Sequence, residues 1–543
     1  MVFARRSTTL LAAIIASCAM VLSLTACTSD NKTVVDGQTT VTSNSAGGVA
    51  VFTPSDGITL NQQMPLNKWA KLVPDLTKAL VDAGFKKGDI DHTTSDSLAK
   101  QSRAIQDFVV DHLSNNTTDD SGIAIAPDSM TLLVAPVVEA DASTRPYGDY
   151  VSQNLSTNDA TDGEATSDGE SSEDDSSKDD SSNTESDSTA SDEQAQAVDR
   201  LVSSLKLAKE SGMHVVLLGN SIEGYKPDAF VKFSDAQTIG KLQAEKMVSK
   251  LKLDKASKDN PKYIEVLLPY TAVDEKGNAN DSTFAQEAFR GIWQVLGSYY
   301  QKGVVESPSG TLDGKSTEND WQAVAYDAAK EGSTAKVLDK RLAKTDGQST
   351  LTRIDGIITM NDYIASEVVK ELDDLGYTGS AADINPQITI SGIVGNITGK
   401  KDLSRDAVPD PIKSPENDNA NDSSSSDDDA DEDTSASDKD RDSQWPLVTG
   451  YGAYVSNIPS IVNGKQWMTG MEDRQTIATD IAQACAKLNK DEALNSMPSI
   501  RNSEVGGVKK IPTISEPLLA VSASNLKSAL IDPGYISLAD AGL

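Results

Sequence analysis

The chain has 543 residues and a formal net charge of −33, from 82 acidic and 49 basic residues. This length admits two or three domains of roughly 100 to 200 residues each, and without a basic patch to release counterions nucleic acid is excluded as a partner. Three cysteines and three histidines leave little material for a disulfide framework or a metal centre.

In chain order, Arg5 and Arg6 precede an apolar run from Leu10 to Leu24 that is too short to span a bilayer comfortably. The run closes on Leu24-Thr25-Ala26-Cys27, the pattern of bacterial lipoprotein processing. Residues 1–26 therefore read as a removable signal peptide, and Cys27 as the lipid attachment site. No later apolar run approaches roughly 18 residues, so the remainder is expected on the outer face of the cytoplasmic membrane, held by acyl chains alone. Residues 27–48, rich in Ser, Thr, Asn and Gly, read as a flexible stalk.

Val49 to Thr53 is a candidate first strand, followed by a helix from Trp69 to Ala83 that ends at Gly84. Met130 to Pro136 is a second strand. Asn158 to Glu193 carries fourteen acids against Lys178 alone and too few apolar groups to offset the entropy of ordering, so it reads as a disordered insert. A helix from Ala195 to Ser211 and a strand from His214 to Leu218 complete the first set. A second set begins at Phe233. Ile239, Leu242, Met247 and Leu251 share one helical face, Tyr263 to Leu268 is a strand, Thr283 to Leu296 a helix and Gly356 to Met360 a strand. Ile364, Val368, Leu372 and Leu375 then stripe a helix that stops before Gly376.

Pro415 to Asp442 repeats the acidic bias, with twelve acids against Lys439 and Arg441, so the two inserts hold 23 of the 33 net negative charges. The run Asp427 to Asp438 lacks the sixth-position glycine of a calcium loop, where Glu432 stands. Ile477, Ile481, Cys485 and Leu488 lie on one helical face, which makes Cys485 a small core hydrophobe. The alternation of strands and amphipathic helices predicts an α/β fold with parallel sheets in two successive lobes. His92, His112 and His214 have no metal-ligand spacing, and neither a nucleophile elbow nor a phosphate loop occurs. A non-enzyme without metal or cofactor is expected.

Several segments resemble the type I periplasmic sugar-binding proteins, in particular the xylose-binding and multiple-sugar-binding group. Ser234-Asp235 through Gly240 to Glu245 resembles the start of their second lobe, and Phe289-Arg290-Gly291 to Leu296 a following helix. Trp321, Met360-Asn361-Asp362, Pro446 to Gly450, Asn463-Gly464-Lys465-Gln466 and Gly507 to Pro512 follow in the family's order. The resemblance implies two Rossmann-like lobes joined by three crossings, with a ligand cleft between them. It places lobe 1 at 49–231, lobe 2 at 232–385, a return to lobe 1 at 386–466, and the completion of lobe 2 with a hinge segment at 467–543.

The same resemblance assigns ligand contacts to Trp69, Trp321, Asn361 and Asp362. Elsewhere the family's polar groups are replaced. Gly219-Asn220 stands for an Asp-Arg pair, Thr283-Phe284 for an Asn pair, and Gly450-Tyr451-Gly452-Ala453-Tyr454 for Gly-Gln-Asp-Ala-Glu. Asn220, Phe284, Tyr451 and Tyr454 thereby join the candidate site, which becomes more aromatic and less charged than a standard sugar site. The implied function is that of a monomeric, lipid-anchored solute-binding protein that captures a sugar or sugar-like ligand by hinge closure and delivers it to an ABC permease. The replaced contacts and the acidic inserts suit a second reading, a surface receptor or scaffold without transport.

Overall fold

The computed structural model describes residues 32–35, 38–41, 46–55, 65–115, 125–138, 144–151, 153–156, 184–273, 280–343, 351–382 and 443–543. The signal peptide, Cys27, the insert Pro415 to Asp442 and most of the insert Asn158 to Glu193 lie outside them. The chain divides into two units, Met1–Ser45 and Ala46–Leu543.

Within the first unit, β1 (Lys32–Val35) and β2 (Gln38–Val41) pair antiparallel, Val35 opposite Gln38. The expected stalk thus contains a hairpin. Its signal in the sequence is the Asp36-Gly37 pair between two β-branched runs.

Among the described residues the second unit holds two large sheets and two short two-stranded ones. The first is built from β3 (Gly48–Pro54), β4 (Ile90–Ser95), β5 (Met130–Val134), β7 (His214–Leu218) and β9 (Ala229–Lys232), with a hairpin of β17 (Ile500–Val505) and β18 (Val508–Ser515) at one side. A short pair, β6 (Asn154–Leu155) with β8 (Ser221–Ile222), lies outside it. The order is β17-β18-β9-β7-β5-β3-β4, parallel throughout except for the hairpin.

Period-two alternation sorts these strands between two cores. Val49 and Val51, Leu133, Val216 and Leu218 face helices Trp69–Asp82 and Arg474–Leu488. Ala50 and Phe52, Leu132 and Val134, Val215 and Leu217 face helices Leu98–Asn115 and Thr184–Glu210. Both faces are buried, which is why these strands read as continuous apolar runs. Helix Thr184–Glu210 starts ten residues inside the expected disordered insert. Once Ala195 onward is helical, extending the helix N-terminally costs little per residue, because nucleation is already complete.

The second sheet contains β10 (Lys262–Val266), β12 (Val305–Glu306), β14 (Gly356–Ile358), β15 (Leu447–Tyr451), β16 (Met468–Met471) and β19 (Leu519–Ser522), in the order β12-β10-β14-β15-β16-β19. Two short strands, β11 (Leu268–Pro269) and β13 (Ala325–Tyr326), pair separately. All neighbours in the six-stranded sheet are parallel except β16 and β19.

This pairing corrects the expected domain boundaries. β15 lies beside β14, Ile358 opposite Thr449, so 443–466 belong to lobe 2 rather than to a return to lobe 1, and β16 stays in lobe 2 as expected. The return comes later, with helix Arg474–Leu488 packed on Trp69–Asp82 and with the β17–β18 hairpin. Lobe 1 thus takes 474–515, and β19 re-enters lobe 2. An apolar strand buried on both faces carries no local mark of which sheet it joins, so the boundary is set by long-range pairing. Among the described residues the chain crosses between lobes three times, at Phe233–Asp235, Glu472–Asp473 and Glu516–Leu518.

Helices Ala236–Lys250 and Thr283–Gln301 cross at glycine. A Cβ on Gly240 would lie 2.2 Å from the Ala288 carbonyl oxygen, and one on Gly291 would lie 2.0 Å from that of Gln237. Only hydrogen fits between these backbones, and the contact fixes the helix N-termini that face lobe 1. Gly291→Ala gains helix propensity in isolation, yet the neighbour is backbone and cannot yield. The expected outcome is a loss of roughly 1–3 kcal/mol, read as a lower urea midpoint with an unchanged slope.

Candidate functional site

The C-terminal ends of both parallel sheets face each other, the position where ligands bind in open α/β sheets. A cavity of about 420 Å³ lies there, walled by Thr144, Val151, Gln153 and Asn154 of lobe 1 and by Asp235, Ala236, Gln237, Asp281, Thr283, Phe284 and Glu287 beyond the first crossing. Asp235 caps its helix, accepting from Thr238 N at 2.7 Å, and pairs with Lys232. Asp281 accepts from Thr283 N at 2.9 Å. Glu287 pairs with Arg290.

Deeper in, the cleft is filled by the chain itself. Tyr147 is 1 % exposed and belongs to the hydrophobic core of lobe 2, although it sits on a lobe 1 loop. Its ring lies 4.6 Å from that of Phe284 and 6.2 Å from that of Tyr451. Next to it, Tyr454 Oη donates to the Pro146 carbonyl at 2.7 Å.

The polar floor is a buried network. Tyr451 Oη accepts from Asn67 Nδ2 at 3.0 Å, touches the Ser234 hydroxyl, and donates to Glu472 Oε1 at 3.4 Å. Glu472 Oε1 also accepts from Ser234 N at 2.6 Å. Burial raises the Glu472 carboxyl to about 7, with the Ser234 and Tyr451 hydrogen bonds opposing the rise. The same burial lifts the Tyr451 phenol well above its ordinary value.

The eight sequence candidates separate into two groups. Phe284, Asn361, Tyr451 and Tyr454 come together around Tyr147. Asn361 caps helix Asp362–Leu375, accepting from Ile364 N at 3.0 Å. The others lie elsewhere. Trp69 is core, its ring 5.1 Å from Tyr150 and 5.7 Å from Phe233. Trp321 stacks edge-on against Tyr270 in the core of lobe 2. Asn220 ties two loops, donating to the Pro136 carbonyl and accepting from Gln153 N.

Asp362 is fully buried and spent on the protein's own donors. Oδ1 accepts from Gln466 Nε2 at 2.7 Å, and Oδ2 from Tyr454 N at 2.9 Å and Thr469 Oγ1 at 2.8 Å. Burial raises its carboxyl to about 6 against these hydrogen bonds. Cys485 is buried among the helices of lobe 1, its thiol pushed up by desolvation.

Sequence reasoning missed Tyr147, Asn67 and Glu472. The signal for Tyr147 was available in Arg145-Pro146-Tyr147-Gly148-Asp149-Tyr150, a turn sequence with two tyrosines placed just after a buried strand.

No protein-family model and no curated protein match the chain. Solved structures do. A solute-binding protein of an ABC transporter from Clostridium phytofermentans with bound β-D-glucose is 17% identical, over 91% of this chain and 99% of that one, at a TM-score of 0.43. A carbohydrate transporter solute-binding protein from Chloroflexus aurantiacus in complex with D-glucose is 18% identical over 92% and 98%, at 0.42. One from Actinobacillus succinogenes with bound D-allose is 10% identical over 89% and 99%, at 0.39. Likenesses this remote assign no ligand to this chain.

Glu472 makes stability pH-dependent. Its folded-state pKa of about 7 exceeds the ordinary 4.5, so the folded chain holds the proton more tightly than the unfolded one. The resulting stabilisation is complete below about pH 4.5 and is lost as pH rises through about 7, an effect of roughly 3 kcal/mol. Glu472→Gln keeps an acceptor for Ser234 N and removes the titration. It is expected to melt above the parent protein at pH 8 and to flatten the melting profile between about pH 4.5 and 7. An unchanged profile there would show that the carboxyl does not titrate in the folded state.

Proposed function

We propose that the chain is a lipid-anchored, extracytoplasmic solute-binding protein that captures a sugar or sugar-like ligand by hinge closure and presents it to an ABC permease. The observation that carries this reading is the cavity of about 420 Å³ walled by both sides of a hinge crossed three times. A ligand touching both walls favours the closed arrangement by its differential contacts alone. The lining suits a hydroxylated ring. Gln153, Asn154 and Gln237 offer amides, Thr144 and Thr283 hydroxyls, Asp235 and Asp281 acceptors, and Phe284 an aromatic face. The lipoprotein leader ending at Cys27 supports the extracytoplasmic placement.

The filling of the inner cleft by Tyr147, Tyr451 and Tyr454 favours the second reading, a receptor or scaffold that has kept the fold without the usual sugar site.

A thermal-shift panel of pentoses, hexoses, oligosaccharides and nucleosides separates the two. One ligand class is expected to raise the melting temperature in a concentration-dependent way, by about 2.7 kcal/mol of added stability at a hundred times its Kd. Phe284→Ala is expected to weaken that ligand about tenfold, or roughly 1.4 kcal/mol. Silence across the whole panel would favour the receptor reading.

A further inference from the structure

The segment Thr144–Val151 is rooted in lobe 1 and reaches into lobe 2. Its root is the start of helix Trp69–Asp82. Asp149 accepts from Lys68 Nζ at 2.7 Å and from Trp69 N at 3.1 Å, Asp149 N donates to the Asn67 carbonyl at 2.8 Å, and Tyr150 Oη donates to the Lys68 carbonyl at 2.5 Å. Gly148, at φ 93°, makes the turn; a Cβ there would lie 2.5 Å from the Asn67 oxygen. From that fixed base the strap inserts the ring of Tyr147 among side chains of lobe 2 and receives the Tyr454 hydroxyl on Pro146.

Two features show that the ring, and not its hydroxyl, makes the contact. The ring is buried against Phe284, itself a wall of the cavity, whereas the hydroxyl, though fully buried, makes no hydrogen bond to any of the described residues. The Asn361 side chain lies near it without hydrogen-bond geometry. Both ends of the strap, Thr144 and Val151, line the cavity, so cavity and ring site are continuous.

We propose that Tyr147 is a tethered stand-in for the ring of the ligand, a latch that holds the lobes shut without solute and that a ring with an apolar face displaces from Phe284. This deepens the solute-binding reading and rests on it for the identity of the site. Its test reads closure with no solute present, so either can fail alone.

The test is amide hydrogen exchange of the full-length protein, followed in the cleft segments 282–290 and 450–456 and, as an internal control, in β7. Tyr147→Ala is expected to speed exchange in the cleft segments at least tenfold while β7 is unchanged. Tyr147→Phe, which keeps the ring and removes the orphan hydroxyl, is expected to exchange at least as slowly as the parent protein and to melt no lower. Adding 4-methylphenol, the tyrosine side chain cut free of the backbone, is expected to slow the Tyr147→Ala cleft segments again. Should Tyr147→Ala unfold, with β7 accelerated equally, Tyr147→Leu provides the same comparison. Cleft exchange unchanged in the truncated variant, equal acceleration in Tyr147→Phe, or no response to 4-methylphenol would each overturn the latch.

Discussion

The hydrogen bond from Ser234 N to Glu472 Oε1, 2.6 Å long and out of reach of water, joins two of the three strands by which the lobes are connected. A carboxyl placed there is costly, since burial disfavours its charged form, and it persists because donors surround it. Tyr451 brings one of them and is itself held by Asn67, which stands at the root of the strap. The same hinge is braced from outside. Arg474 pairs with Asp75 at 2.6 Å and lies over the ring of Tyr535 at 4.5 Å, binding the second crossing to lobe 1 and to the C-terminal segment. Glu472, Ser234, Tyr451 and Asn67 thus form one polar knot across the first two crossings, beside the part of the cleft that Tyr147 fills.

A second buried carboxylate organises lobe 2 and explains why an Asn-Asp turn need not touch a ligand. Asp362 gathers Gln466, Thr469 and Tyr454 N, so the turns after β14 and β15 and the start of β16 share one acceptor. The arrangement requires Gly450, where a Cβ would lie 2.2 Å from Asp362 Oδ1. It also holds two non-glycine residues in left-handed backbone, Met360 at φ 68° and Ala453 at φ 50°. Such conformations cost about 1–3 kcal/mol each and survive where the surroundings over-determine them. Gln243 does so for Met360 and Thr469 for Ala453. The strain bends the chain so that Asn361 and Tyr454 face the strap.

What was legible in the sequence follows from the range of the forces involved. The stripe Ile239, Leu242, Met247 and Leu251 is a local periodicity, and all four residues are buried. Cys485 was placed in a core by the same reasoning. The hairpin around Asp36-Gly37 was also local, but the polar composition of its neighbours concealed it. The lobe assignment of β15 was not legible, because its apolar run suits either sheet and its partner β14 is nearly ninety residues away. Of the candidate contacts read from the sequence, Phe284 walls the cavity and Tyr451 and Tyr454 lie beside Tyr147, whereas Trp69 and Trp321 pack into the lobe cores. Tyr147 reaches the cleft only because a loop of one lobe crosses to the other, and no spacing in the sequence encodes that crossing.

The balance at Tyr147 sets how such a cleft can work. Burying an aromatic ring contributes roughly 2–3 kcal/mol relative to leaving it in water, while burying a hydroxyl without a partner costs about 1–3 kcal/mol. The unpartnered hydroxyl offsets part of what the ring contributes, so the tyrosine favours the shut arrangement by less than its ring alone would. A latch with a fully bonded hydroxyl would hold more tightly and would demand that margin from every ligand, because affinity falls by the fraction of molecules competent to bind. A ligand that stacks on Phe284 and satisfies its own polar edge with Asn361 or with the amides of the outer cavity improves on the tyrosine at the point where the tyrosine is deficient. On the latch proposal, the orphan hydroxyl is the feature that lets the same residues close the cleft when it is empty and yield when it is occupied.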